Sequence, residues 1–280
     1  MPKYLLVKAY VGFGDRLQAL SHAIYYASKY GRTLCVDWRD AIWSDGTVDF
    51  ATFFDTCTVP TIPLEELLAI EHATVWPAGW SNQIERKADR LYIYAKEYVN
   101  SLEDREYEAD LLVYASTGHR VYHRANICQL RVKKPHRQRI VAELERCAGF
   151  EDVVHLRGTD RVKPGEYDGY LAEAYARMAG VDRQAAVLVV SDCLPLVERF
   201  RQEFPNAVLR TPHLESLDPL KGTHFQKSVG KEEMNLQMLV DFFLLIYAPR
   251  CHHDPKTSFA KMARFVRLGN YANILGHDRG

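Results

Sequence analysis

The sequence has no long hydrophobic run. Its first segment, MPKYLLVKAYVGFGD, breaks a short apolar stretch at Lys8, whereas a secretory leader needs a longer uninterrupted one. The apolar run from Phe242 to Pro249 is far shorter than the roughly 20 residues needed to cross a bilayer. Neither a leader nor a membrane span is expected, and the expected location is cytoplasmic. Charge of one sign is not in excess either: 36 Lys and Arg stand against 36 Asp and Glu in 280 residues. Proteins that bind a phosphate backbone normally show a basic surplus, so nucleic acid is not an expected partner. A local basic site for one small anion stays open. The six cysteines, at 35, 57, 128, 147, 193 and 251, form no CxxC pair. In a chain this long without a leader they read as buried thiols, not as a disulfide or zinc framework.

Several catalytic signatures are also missing. There is no HExxH, DxD, GxSxG or Walker A sequence, and no metal is expected. His252, His253 and Asp254 look like ligands, but adjacent residues on a strand point to opposite faces. His119 and His123 would share a face only on a helix, and Val121 and Tyr122 between them favour strand.

What is present is strand followed by helix, several times over, with an apolar share of 47% that supports a substantial core. Tyr4–Val11 reads as a strand, Leu17, Leu20, Ile24 and Ala27 as one face of a helix stopping near Gly31, and Thr33–Trp38 as the next strand. Residues 41–110 read as short helices and loops, with tryptophans 43, 76 and 80 either filling core or stacking on sugars. Leu111–Ala115 is a third strand, and residues 131–147 a linker running into a helix. A second series follows: strand 153–157, helix 168–178, strand 186–191, helix 194–203, strand 207–210, helix 234–247, strand 248–252 and helix 258–266. Two βα halves imply an α/β protein with parallel sheets in two Rossmann-like domains facing a cleft. The expected division is 1–148 and 149–280.

Four places carry candidate chemistry. GFGDR at 12–16 follows a strand and opens a helix, where glycines let a ligand approach the backbone and the helix N-terminus favours an anion. A tight turn capped by Asp15 fits the same spacing. The stretch HLRGTDR puts His155 and Arg157 on one strand face, with Thr159, Asp160 and Arg161 just past the strand end. A guanidinium there can fork onto phosphate oxygens; the alternative is an Arg157–Asp160 surface ion pair. Ser191 and Asp192 close the next strand, where they could cap the following helix, contact a ligand, or both. Asp241 lies in an otherwise apolar helix, where a carboxylate needs a partner or a site; the alternative is an exposed polar stripe shared with Gln237.

Taken in order, these pieces resemble a known group. VGFGDRLQALSHAIYYASKYGRTLCVDWRD is similar to the N-terminal segment of bacterial nodulation-type fucosyltransferases. HLRGTDR resembles the H-x-R-R-T-D-K motif of the core α-1,6-fucosyltransferases. VLVVSD, NLQMLVDFFLLIYAPRC and KTSFAKMA follow the later motifs of that superfamily in the same order. The resemblance covers the N-terminal segment and the second half, while residues 41–110 match nothing in it.

The resemblance implies a glycosyltransferase-B architecture and inverting, metal-independent transfer of fucose from GDP-fucose to a glycan or other hydroxyl acceptor. The nucleotide sugar would be a substrate, with no further cofactor. Carried over by position, Arg157 would neutralise the diphosphate of the leaving GDP. His155 and Asp241 would hold the guanine and its ribose side, and Ser258, flanked by Thr257 and Phe259, would meet the phosphates. Gly12, Gly14, Arg16 and Asp192 complete the implied donor site. Glu166 would be the base, with Arg161 beside it in place of the family's lysine; a solvated loop carboxylate is the alternative for Glu166. The second motif arginine is Gly158 here, so one cationic contact is missing, for which Arg16 could compensate. Another nucleoside-diphosphate sugar as donor, or a non-catalytic nucleotide-sugar or glycan-binding protein, remain the competing readings.

Overall fold

The computed structural model describes residues 2–89, 95, 97, 98, 101–115, 124–159, 161–210 and 230–268. By internal packing these fall into two compact units, one built mainly on the chain up to His136 and the other on Arg137–Arg267.

In the first unit, β1 (Tyr4–Lys8) leads through α1 (Phe13–Lys29) to β2 (Thr33–Asp37). Short elements follow: α2 (Phe50–Phe53), β3 (Phe54–Thr56), α3 (Leu64–Leu68) and β4 (Val75–Trp76), then β5 (Leu111–Ala115) and β6 (Leu130–Val132). The main sheet has the order β2-β1-β5-β4 and is parallel throughout. β1 and β5 are buried at every residue, which is why they read as unbroken apolar runs instead of alternating ones. β1 stops at Lys8, three residues short of the expected end. Lys8 is fully buried, and its ammonium meets Asp37, its register partner on β2, at 2.6 Å. Such a burial is tolerable only for a paired charge.

The segment 131–147 is not all linker and helix. Its first residues complete β6, which pairs antiparallel with β3, and only then does α4 (Lys134–Arg146) begin. Of the three tryptophans in question, Trp43 and Trp80 are core residues. Trp76 is half-buried against Tyr107, with ring centroids 4.5 Å apart.

The second unit runs β7 (Asp152–Leu156), α5 (Tyr167–Arg177), β8 (Val187–Ser191), α6 (Leu194–Phe200), β9 (Val208–Leu209), α7 (Lys231–Tyr247), β10 (Arg250–His253) and α8 (Ser258–Leu268). Its sheet is also fully parallel, in the order β10-β7-β8-β9. Val154, Leu156, Val187 and Val189 pack against Leu196, Phe200 and Phe204. The two phenylalanine rings are stacked at 4.9 Å. Fully burying one such side chain contributes roughly 1.5–3 kcal/mol. The chain winds outward from β7 through β8 to β9 and then returns to the other side of β7 as β10. The sheet therefore reverses direction between β7 and β10, and open α/β sheets bind ligands at the carboxyl ends of the strands flanking such a point.

Candidate functional site

The carboxyl ends of β7, β8 and β10 carry most of the expected residues. His155 is the penultimate residue of β7, 6% exposed, with His253 of β10 as its register partner. Its ring packs against Phe259 in the first turn of α8, centroids 5.6 Å apart. Phe259 in turn meets Phe242 of α7 edge-on at 5.4 Å. Burial pushes the His155 pKa down to about 4, although Asp192 works the other way. The imidazole is therefore neutral at neutral pH, and its Nδ1 is buried without a hydrogen-bond partner among the described residues. An unpaired polar atom at this depth is costly and marks a place where a ligand group can bind.

One step past β7, the Nη1 of Arg157 lies 2.8 Å from Oδ2 of Asp192 at the end of β8. The alternative reading, an Arg157–Asp160 ion pair, involves a residue outside the described ones, as do His119 and His123. Asp192 also accepts from the Gly158 N–H at 2.8 Å, the Thr159 hydroxyl at 2.8 Å and, at 3.5 Å, the Thr159 N–H. Burial works to raise the Asp192 pKa, but Arg157 and these donors outweigh it and hold the carboxyl below its usual range. The expected helix cap is corrected accordingly. Cys193 occupies the N-cap position of α6 with no side-chain cap bond, Ser191 Oγ accepts the Cys193 N–H at 3.1 Å, and Asp192 turns away to the β7 loop. Gly158 is held so close to this helix start that a Cβ on it would lie 2.3 Å from the Cys193 Cβ.

Beyond β10, Asp254 is buried and its Oδ1 accepts the Lys256 N–H at 2.8 Å. Thr257 is buried, its hydroxyl donating to the Asp254 carbonyl at 3.2 Å, and Ser258 and Phe259 open α8 half-buried. The Phe259–His155 contact sets the first turn of that helix beside β7, and the N–H groups and dipole of a helix N-terminus favour an anion. His252 and His253 do separate as expected for adjacent strand residues. His252 Nε2 bonds Asp152 at 2.8 Å and its Nδ1 faces the Arg177 carbonyl at 3.1 Å. No group of three or more metal-ligating side chains occurs among the described residues.

Asp241 is neither in an exposed stripe nor unpartnered. Its Oδ1 lies 2.5 Å from Nε of Arg210, at the end of β9. Gln237 takes the other arms of that guanidinium, accepting from Nη1 at 2.7 Å on its side chain and from Nη2 at 3.0 Å on its carbonyl. Burial pushes the Asp241 pKa up to about 6, with Arg210 offsetting only part of it. Sequence reasoning missed Arg210. The available signal was an arginine closing a short strand, the same position that drew attention to Arg157.

Glu166 ends the 3-10 turn Pro164–Glu166, exposed, with Oε2 accepting the Lys163 N–H at 3.1 Å. Arg161 is exposed too, and among the described residues no ion pair joins the two. In the first unit, Gly12 and not Asp15 is the N-cap of α1, its carbonyl accepting the N–H groups of Asp15 and Arg16 at 3.1 Å each. A Cβ on Gly12 would meet open space. Gly14 is buried in the first helical turn. Arg16 is fully buried: Nε donates to the Val11 carbonyl at 2.7 Å, Nη2 meets Asp40 at 2.8 Å, and the indoles of Trp38 and Trp43 lie over it. That placement gives Arg16 a structural task, and its Nη1 is buried without a hydrogen-bond partner among the described residues.

Neither a family model nor a curated protein matches the sequence, but solved structures do match the fold. The α/β architecture is the glycosyltransferase-B fold found in fucosyltransferases. The fucosyltransferase NodZ from Bradyrhizobium superposes with a TM-score of 0.65 at 19% identity, over 94% of this chain and 93% of that one. NodZ α-1,6-fucosyltransferase co-crystallised with GDP gives 0.63 at 20%, over 94% and 92%. FUT1 from Arabidopsis thaliana, as the R284K mutant in complex with GDP, gives 0.53 at 11%, over 95% of this chain and 69% of its own.

Proposed function

We propose that this protein is a glycosyltransferase that moves a fucosyl group from GDP-fucose to a hydroxyl acceptor with inversion and without a metal. The observation that carries the reading is the cluster at the β7–β10 reversal. There a strand-end guanidinium, an unpaired buried imidazole nitrogen and a helix N-terminus converge within a fold shared with structures solved with GDP. A diphosphate leaving group needs fixed positive charge and donors where negative charge develops. Arg157 and the start of α8 at Thr257 and Ser258 supply both.

In this reading the donor binds the half 149–280. Neutral His155 offers Nδ1 to the nucleoside, and Phe259 supports the ring. The Arg210-bound Asp241 carboxylate lies on the guanine and ribose side. The half 1–148 takes the acceptor. The acceptor oxygen attacks the anomeric carbon from the face opposite the phosphate, forming the new C–O bond as the bond to GDP breaks. Its proton passes to Glu166.

The test is thermal unfolding with GDP, UDP and ADP on the wild type and Arg157→Ala. A nucleotide at about 100 times its dissociation constant adds roughly 2.7 kcal/mol to the native state. The reading expects that gain with GDP alone and its loss in the variant. No shift with any guanine nucleotide overturns it.

A further inference from the structure

The geometry points to Asp192 as the positioning residue for Arg157, and we propose that its carboxylate presets the guanidinium for the donor diphosphate and does not itself contact the nucleotide. The inference rests on the donor-site reading above, and it removes Asp192 from the set of ligand-binding residues expected from the sequence.

A carboxylate offers about four lone-pair sites. Asp192 receives Nη1 of Arg157, the Gly158 N–H and both donors of Thr159. Every one of these comes from three consecutive residues of the β7 loop. With its side chain 8% exposed, it has little surface left for a ligand. A second carboxylate function, contact with a phosphate, would in any case be repulsive. Its remaining role is to hold the donors that surround it.

The loop is pinned from the other side as well. Gly158 lies against Cys193, the residue following Asp192, with no room for a side chain. The Arg157 N–H is occupied too, donating to the Tyr170 hydroxyl of α5 at 3.0 Å. The backbone on both sides of the Arg157 side chain is thus fixed, and Asp192 fixes the head group. A free arginine side chain has many rotamers to lose, and a donor that binds a preset guanidinium does not have to order it. Preorganisation of Arg157 compensates for the second cation that Gly158 replaces.

The experiment pairs side-chain NMR with a double-mutant cycle. Asp192→Asn keeps a side-chain oxygen for the Gly158 N–H and a polar group for Thr159, but removes the charge that holds Arg157. In the wild type the Arg157 Nε–H resonance, assigned with Arg157→Lys, should show a rigid side chain. In Asp192→Asn it should become mobile while backbone spectra stay close to wild type. Calorimetry with GDP should give a loss of about tenfold in affinity for Asp192→Asn, the worth of one charged hydrogen bond. Arg157→Ala should lose as much or more, and the double variant no more than Arg157→Ala. Guanosine, which has no phosphate, should bind all four proteins alike. A rigid Arg157 in Asp192→Asn, fully additive losses, or an equal loss of guanosine binding each overturn the proposal. A mobile Arg157 in the variant with no GDP binding by the wild type would instead leave the positioning role standing and sink the donor-site reading.

Discussion

Gly158 and Cys193 leave no space between them: a Cβ built on Gly158 would lie 2.3 Å from the Cys193 Cβ, 2.8 Å from its Sγ and 3.2 Å from Leu196 Cδ2. The glycine that replaces the second arginine of the H-x-R-R-T-D-K motif is therefore a packing requirement. Gly158→Arg, which restores the motif, should lower stability by about 1–3 kcal/mol, the usual cost of overpacking, and should not raise GDP affinity. Gly158→Ala should be destabilising as well, and less so on a Cys193→Gly background, where the clashing atoms are gone. Denaturant unfolding of Gly158→Arg, Gly158→Ala, Cys193→Gly and the Gly158→Ala/Cys193→Gly double variant, with GDP calorimetry on the first, checks this.

His155 and Asp241 should leave opposed marks on the pH dependence of stability. The native His155 pKa of about 4 lies below the ordinary value of 6.5, so between the two the unfolded chain binds more protons. Stability from this group rises with pH through that window. The native Asp241 pKa of about 6 lies above the ordinary 3.8, so the native state holds the extra proton and stability falls as pH rises through that range. His155→Gln should remove the rising contribution, of order 3 kcal/mol across the window, and expose the falling one. Unfolding free energies measured from pH 4 to 7 decide it.

Arg16 and Asp40 form an ion pair with neither side chain exposed. Removing one partner of such a pair leaves a buried charge and typically costs about 3–5 kcal/mol. Arg16→Ala and Asp40→Ala should each approach that loss, and the double variant should fall well short of the sum. A small stability change with a large loss of GDP binding would return Arg16 to the donor site.

Glu166→Gln separates chemistry from binding. As the base, Glu166 should contribute roughly a hundredfold or more to turnover and little to GDP affinity, since among the described residues its carboxylate accepts from the Lys163 N–H alone. Transfer of labelled fucose to a panel of glycans, together with GDP calorimetry, reads both quantities. Unchanged transfer assigns the proton to another group.

Much of the fold was legible because β1, β5, β7 and β8 are buried along their whole length. Parallel strands covered on both faces must be continuously apolar, and such runs stand out between helical periods. β6 was not legible. Three residues, Leu130–Val132, with one arginine among them and a lysine pair behind, become a strand only because β3 pairs with them, and that pairing is non-local. The site was legible in outline for a similar reason. A histidine and an arginine two positions apart at the end of an apolar strand mark a strand end on their own.

What the sequence determined by itself is the alternation of strand and helix and the placing of His155, Arg157 and Asp192 at strand ends, since hydrophobic periodicity is a local property of the chain. What only the tertiary structure decided is which charge holds which. Arg157 is held by Asp192, Asp241 by Arg210, and Arg16 by Asp40. Those pairings follow from strand order and depth. A buried charge must take whichever opposite charge the fold brings within a few ångströms, and no local pattern records which one that is.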